Sequence, residues 1–265
     1  MLQLVGCDAM DVALSDVVSN RSWRREELPF QHVVATDVLA RAVYLDLVAA
    51  FESCLAADAE EGFRRDMRGF DATGHNFAPP VPAPFDIFFS RSWHDLLTGL
   101  FGVTGTGHLS GGLHHHHPGS RSGGVHNDLN PGWFSEAGSA DAAVVVADRR
   151  RCDYGTGQVH EPDVSPVETV RAVAMIYYLA NPSWTTGDGG ETGLYRYATD
   201  DPERPAVTVP PRNNSLLAFE CTPFSYHAFL SNRRTARNSL VLWAHRPKPE
   251  VVARWDDRVI VPWAR

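Results

Sequence analysis

The chain is nearly without lysine: of its 24 basic residues only Lys248 is lysine, and the rest are arginine. Against 32 Asp and Glu this leaves a formal net charge of -8. An acidic balance weighs against nucleic-acid binding, which needs a basic surface for phosphate contacts. Cysteine is scarce too. Cys7, Cys54, Cys152 and Cys221 are scattered and form no C-x-x-C pair, which excludes a disulfide framework and a cysteine-rich zinc knot. No apolar run approaches the roughly 18 residues that would span a bilayer. The N-terminus also lacks the basic start and apolar stretch of a secretory signal. A cytoplasmic protein without membrane contact is the resulting expectation. H-E-x-x-H is absent, so a helix-borne hydrolytic zinc site is not expected. What remains is ordinary for a globular chain: 265 residues, 43% hydrophobic and 21% charged, enough to build a sizeable core.

Leu2, Leu4 and Val5 could begin a strand. From Thr36 or Asp37 onward, Leu39, Val43, Leu47, Phe51 and Leu55 recur at four-residue intervals. That spacing predicts an amphipathic helix running towards Met67. Ala78 to Pro84 is too rich in proline for regular structure. Ser92 to Gly102 reads as a second helix with Leu96, Leu97, Leu100 and Phe101 on its apolar side, and His94 there reads as a packing or surface residue. The remainder is predicted as short strands: Thr106–His117, Gly124–Leu129, Val170–Leu179, Glu191–Tyr197, Ser215–Phe219 and Arg237–Ala244. Many short strands separated by turns indicate a jelly roll or barrel. The class is mainly β (α+β), with residues 1–105 as an N-terminal helical buttress, 106–265 as the β core, and 135–168 as an insertion that could cover a site.

The stretch Gly123-Gly-Val-His126-Asn-Asp128-Leu129 carries the first chemical signal. Residues two apart on a strand point the same way, so His126 and Asp128 would aim an imidazole and a carboxylate at one point. Far downstream, Cys221-Thr-Pro-Phe-Ser-Tyr-His227 offers a second imidazole. Two His and one carboxylate on one face of a metal, with positions left open, is the pattern of non-haem Fe(II) oxygenases. Alone, His-x-Asp is a weak signal. The next strand strengthens it, because Arg237, Ser239, Val241 and Trp243 share one face. A buried arginine needs an anion, its planar fork grips a carboxylate, and the Ser239 hydroxyl can add to the same anion.

Taken together, His117-Pro-Gly119, Gly124-Val-His126-Asn-Asp128, Met175 to Trp184, Gly189-Gly-Glu-Thr-Gly-Leu-Tyr195, His227 and Arg237-x-Ser239 resemble the 2-oxoglutarate- and Fe(II)-dependent dioxygenases, in their prolyl-hydroxylase-like branch. The resemblance covers residues 106 to 245. It implies a double-stranded β-helix (cupin-like jelly roll) with helices packed against the sheet. It implies Fe(II) on His126, Asp128 and His227, and 2-oxoglutarate with its distal carboxylate on Arg237, aided by Ser239. Tyr178 would reach the same carboxylate. The family often carries Tyr before the Pro-Gly, where this chain has His117, which would take that place. O2 is the implied cosubstrate, and the retained carboxylate at Asp128 implies hydroxylation. The run His114 to His117 alternates faces and so does not form one compact ligand set.

Nearness to these motifs makes Arg121, Asn127, Trp133, Phe134, Glu191 and Thr192 the candidate substrate residues. Arg121 with Glu191 could clamp a zwitterion, which favours a small molecule such as an amino acid as substrate. The alternatives are a prolyl residue in a peptide or protein and, in another class, a non-catalytic metal-binding sensor. Such a sensor would have no use for the Arg237 clamp.

Overall fold

The computed structural model describes residues 13–57, 62–63, 65–66, 71–138 and 143–262. Leu2, Leu4, Val5 and Cys7 lie outside the described residues. After a short helix α1 (Leu14–Val17) come β1 (Arg24–Glu26), β2 (His32–Ala35), α2 (Arg41–Ala56), β3 (Arg65–Asp66), β4 (Ala72–Asn76), a 3-10 turn over Phe85–Phe89 and α3 (Arg91–Phe101). The β core follows as β5 (His108–His116), β6 (Pro131–Phe134), β7 (Val145–Val146), β8 (Val167–Tyr178), β9 (Thr192–Tyr195), β10 (Val207–Val209), β11 (Ser215–Glu220), β12 (Tyr226–Phe229) and β13 (Arg237–Pro247), closed by α4 (Lys248–Trp255).

Two sheets result. The larger runs β1-β2-β11-β8-β13-β5-β4-β3, and the smaller is β10-β9-β12. This is the mainly β jelly roll expected from the sequence. Strand β8 sits at its centre, antiparallel to β11 on one side and to β13 on the other. Its near-continuous apolar run follows from that position, since both of its faces are covered. One face packs on the helices: Tyr177, Met175, Leu240 and Leu242 share a core with Leu47, Phe51, Phe88, Trp93 and Leu97. The other face meets the smaller sheet, with Ile176, Tyr178, Leu217, Phe219 and Val241 packed against Leu194 and Val209. The site described below lies on this second face.

Three expectations need correction. The N-terminal third is not only a helical buttress, because β1 and β2 extend the larger sheet beside β11, and β4 extends it beside β5. Helix α2 ends at Ala56, and residues 65–66 already form a strand. Gly124–Leu129 makes no regular strand: it holds one bridge, His126 to His227. There the Asn127 side chain accepts from the Leu129 amide (3.1 Å) in an Asx turn that competes with ladder pairing. Helix α3 is as its sequence signals imply. Ser90 caps the Trp93 amide, and Gly102 closes the helix at φ 63°. Among the described residues no helix is long and apolar enough to cross a membrane.

Candidate metal and oxoacid site

His126 and His227 are brought together by reciprocal backbone bonds. The His126 amide donates to the His227 carbonyl (3.1 Å) and the His227 amide to the His126 carbonyl (2.8 Å). Their ring centroids lie 4.4 Å apart. Each ring is oriented through Nδ1, which donates to the Gly124 carbonyl in His126 (2.8 Å) and to the Ser225 carbonyl in His227 (3.2 Å). Donation from Nδ1 fixes the tautomer and leaves the lone pair on Nε2, the usual arrangement of a ligating histidine. Asp128 joins them, its Oδ2 lying 3.5 Å from His227 Nε2. One ligand atom from each of these three residues falls within 4.8 Å of the others, and they are the one such His/Cys/Asp/Glu group among the described residues. This donor set, two imidazoles and one carboxylate, fits Fe(II).

The electrostatics agree with that use. Burial and the neighbouring His227 push His126 down to about 4, so its imidazole is neutral at pH 7. Burial would raise the Asp128 carboxyl. The adjoining His227 imidazole and the charge of Arg171 outweigh burial and hold it well below the ordinary carboxylate range. Asp128 is therefore an anion ready to ligate.

Arg237 occupies the other end of the same face. It is 4% exposed, and its Nη1 donates to Ser239 (2.9 Å) and its Nη2 to Thr192 Oγ1 (3.2 Å). Thr192 in turn bonds the Tyr178 hydroxyl (2.7 Å), and the guanidinium lies 5.1 Å from the Tyr178 ring centroid. Its Nε has no partner, and no ion pair reaches it among the described residues. A buried cation with an unmet donor and no counter-ion is a built receptor for an anion. The distal carboxylate of 2-oxoglutarate fits that demand. Gly190, at φ 82°, lies against the Arg237 side chain, where any β-carbon would sit at contact distance.

Several sequence-derived assignments move. His117 is exposed and lies with His115, ring centroids 4.7 Å apart, on the face away from Arg237. Register pairs Arg237 with His116, and it is His116 that is buried and stacked on Phe229 at 3.8 Å. The departure from the family pattern is therefore offset by one residue, which on a strand means the opposite face. Thr192 belongs to the Arg237 corner rather than to a separate substrate surface. Phe134 is core, packed on His108, Tyr154 and His245. Trp133 lies beside Gly157 of the 135–168 segment. Asn127 is spent on its turn and on the Pro223 carbonyl (3.4 Å). Arg121 is 87% exposed and pairs with Asp71 at 3.1 Å, and no Arg121–Glu191 clamp forms. His94 is a packing residue: buried, with its Nε2 accepting from the Gly107 amide (3.2 Å).

Sequence reasoning missed Arg171. Strand β8 otherwise alternates, with Tyr177, Met175 and Val173 towards the helices. Between Ala244 and His245 the β8–β13 register shifts, so that Val173 pairs with Ala244 and Arg171 with His245. This bulge turns Arg171 onto the site face, a known use of bulges beside functional sites. There its Nη1 donates to Asp128 Oδ1 (3.0 Å) and its guanidinium lies 3.8 Å from the Trp243 ring centroid. Trp243 Nε1 donates to Asp128 Oδ2 (2.8 Å). A lone charged residue inside an apolar run was the available signal.

The description of the 2OG-Fe(II) oxygenase superfamily matches residues 150–245, a stretch that carries His227 and Arg237 and begins after His126 and Asp128. Residues 150–245 are thus similar to a superfamily of oxygenases that use Fe(II) and 2-oxoglutarate, two groups that the three-ligand cluster and the Arg237 corner fit. Among solved structures, its fold is similar to a prolyl-4-hydroxylase from Pseudomonas putida, at 18% identity, TM-score 0.50, with 81% of this chain and 92% of that chain covered. It is similar as well to a prolyl hydroxylase from Trichoplax adhaerens, solved in complex with a hypoxia inducible factor oxygen degradation domain peptide fragment. That likeness is at 15% identity and TM-score 0.53, covering 84% of this chain and 86% of that one. A comparison with curated proteins gave no match.

Proposed function

We propose that the protein hydroxylates a prolyl residue in a peptide or protein, holding Fe(II) on His126, Asp128 and His227 and the distal carboxylate of 2-oxoglutarate on Arg237. The oxygenase part of this reading is carried by the buried guanidinium of Arg237, which meets no carboxylate among the described residues and shares a face with the three convergent ligands. When bound, Fe(II) would supply O2 activation, with one oxygen atom entering succinate as 2-oxoglutarate loses CO2 and the other entering a substrate C–H; the protein supplies aim and exclusion of water. Asp128 and the two imidazoles present three donors from one side, which leaves the opposite side for cosubstrates. Ser239, Thr192 and Tyr178 orient the guanidinium, and His116 on Phe229 closes the wall beside it.

A peptidyl substrate is supported by the two prolyl-hydroxylase folds, one of them seen with a peptide. The expectation of a zwitterionic small molecule has lost its physical basis, because Arg121 is committed to Asp71 at the surface. The test is incubation with Fe(II), ascorbate and 2-oxoglutarate under air, with a proline-containing peptide library in one arm and free amino acids in the other. Succinate release with a gain of one oxygen on a peptide proline is expected. Oxygen gain confined to free amino acids would overturn the substrate assignment, and no succinate in either arm would favour a non-catalytic sensor.

A further inference from the structure

The metal reading asks only that Asp128 be present, yet its carboxylate is gripped from behind by a chain of buried groups. Oδ1 accepts from Arg171 Nη1 (3.0 Å), and Oδ2, the oxygen nearer His227, accepts from Trp243 Nε1 (2.8 Å). Arg171 is itself held in place. The same Nη1 donates to Asn130 Oδ1 (3.0 Å), Nε donates to the Tyr154 hydroxyl (3.2 Å), and the Trp243 ring lies against the guanidinium. Tyr154 comes from the 135–168 segment, and its hydroxyl is shared with Ser110 (3.0 Å) and His245 Nε2 (3.1 Å).

We propose that Arg171, fixed by Tyr154, is a positioning residue that locks Asp128 with one oxygen towards the two imidazoles and the other on the guanidinium. The inference rests on the metal site proposed above. A carboxylate free to rotate can offer both oxygens to a metal and so fill an additional coordination position. With Oδ1 held by a charged donor, Asp128 binds through Oδ2 alone, and the open positions a chelating keto acid and O2 require stay open. The arrangement also gives the 135–168 segment a task. It reaches the metal centre through two side chains, Tyr154 and Arg171, and the bulge in β8 aims the second of them.

Co(II) titration of the metal-free protein tests this without turnover, read by affinity and by the visible absorption that reports coordination number and geometry. Arg171→Met is expected to weaken Co(II) binding by about 10–100-fold, the usual effect of removing a group that orients a ligand, and to change the spectrum. Arg171→Lys should recover part of both, and Tyr154→Phe should move them the same way by less. An Arg171→Met protein with wild-type affinity and spectrum would overturn the proposal. If that variant does not fold, Tyr154→Phe decides alone, and an unchanged affinity and spectrum there overturns it. Asp128→Ala separates the two levels: if it binds Co(II) like wild type, the metal site itself is wrong; if it loses binding while the Arg171 variants do not, only the positioning role fails.

Discussion

Replacing Arg237 by Met should leave the protein about as stable as before and abolish its response to 2-oxoglutarate. Before the diacid binds, Arg237 is a guanidinium 4% exposed, with two hydroxyl partners, an unmet Nε and no carboxylate among the described residues. That is the condition of the survivor when one half of a buried ion pair is deleted, a condition that costs about 3–5 kcal/mol. Met has similar reach and no charge, so it removes this cost. It also removes two hydrogen bonds to a charged group, each contributing about 1.5–3 kcal/mol. The two effects offset, and the net change in stability without ligand should stay within about 3 kcal/mol. Ligand linkage then separates the proteins. At about 100 times its dissociation constant, 2-oxoglutarate stabilises the wild type by ~2.7 kcal/mol. At ~2–4 °C per kcal/mol for a chain of this size class, that is a rise of roughly 5–11 °C. The assay is thermal unfolding with Mn(II) in place of iron, under nitrogen, across a 2-oxoglutarate titration. A Met variant that still rises with 2-oxoglutarate would refute the receptor role. One that loses more than about 4 kcal/mol without ligand would show that Arg237 is structural and not an anion site in waiting.

The other predictions are simpler. His116→Ala should raise the 2-oxoglutarate concentration needed for half-maximal succinate formation, while His117→Ala should leave it unchanged; the reverse order would restore the sequence-based assignment. Arg121→Ala, at a surface ion pair, should change stability by less than about 1 kcal/mol and leave activity on the peptide substrate intact; loss of activity would revive a substrate role for that arginine. His126 titrates near 4 in the folded metal-free protein against its ordinary value of 6.5. The unfolded chain therefore binds more protons between those values, so stability should rise with pH from about 4 to 6.5. His126→Gln should flatten part of that rise in urea unfolding measured across the range, and an unchanged slope would show that another group carries it.

Much of this was legible in the chain and some was not, for physical reasons. Strands β8, β11 and β13 announce themselves by their apolar runs, and helix α3 by the apolar side of Leu96, Leu97, Leu100 and Phe101 and by Gly102. The face shared by Arg237, Ser239, Val241 and Trp243 follows from strand alternation alone. What alternation cannot give is a place where it breaks. Arg171 reaches Asp128 only because a bulge interrupts the β8–β13 register, and no local pattern in Val170-Arg171-Ala172 marks that shift. The choice between His116 and His117 likewise hangs on one step of register with β13, set by pairing distant in sequence. His126 and Asp128 converge as expected, but through a bridge to His227 and an Asx turn at Asn127 rather than along a strand. Arg121 misled because nearness in sequence to the metal motif does not say which way a loop residue faces, and Asp71 faces it outward.

The most direct measurement is anomalous diffraction from crystals grown under nitrogen with Fe(II) and 2-oxoglutarate. The account predicts one iron bound by Nε2 of His126 and His227 and by Oδ2 of Asp128, with a carboxylate of the diacid on the Arg237 guanidinium. Iron at any other set of side chains, or a diacid that leaves Arg237 without an anion, would contradict it.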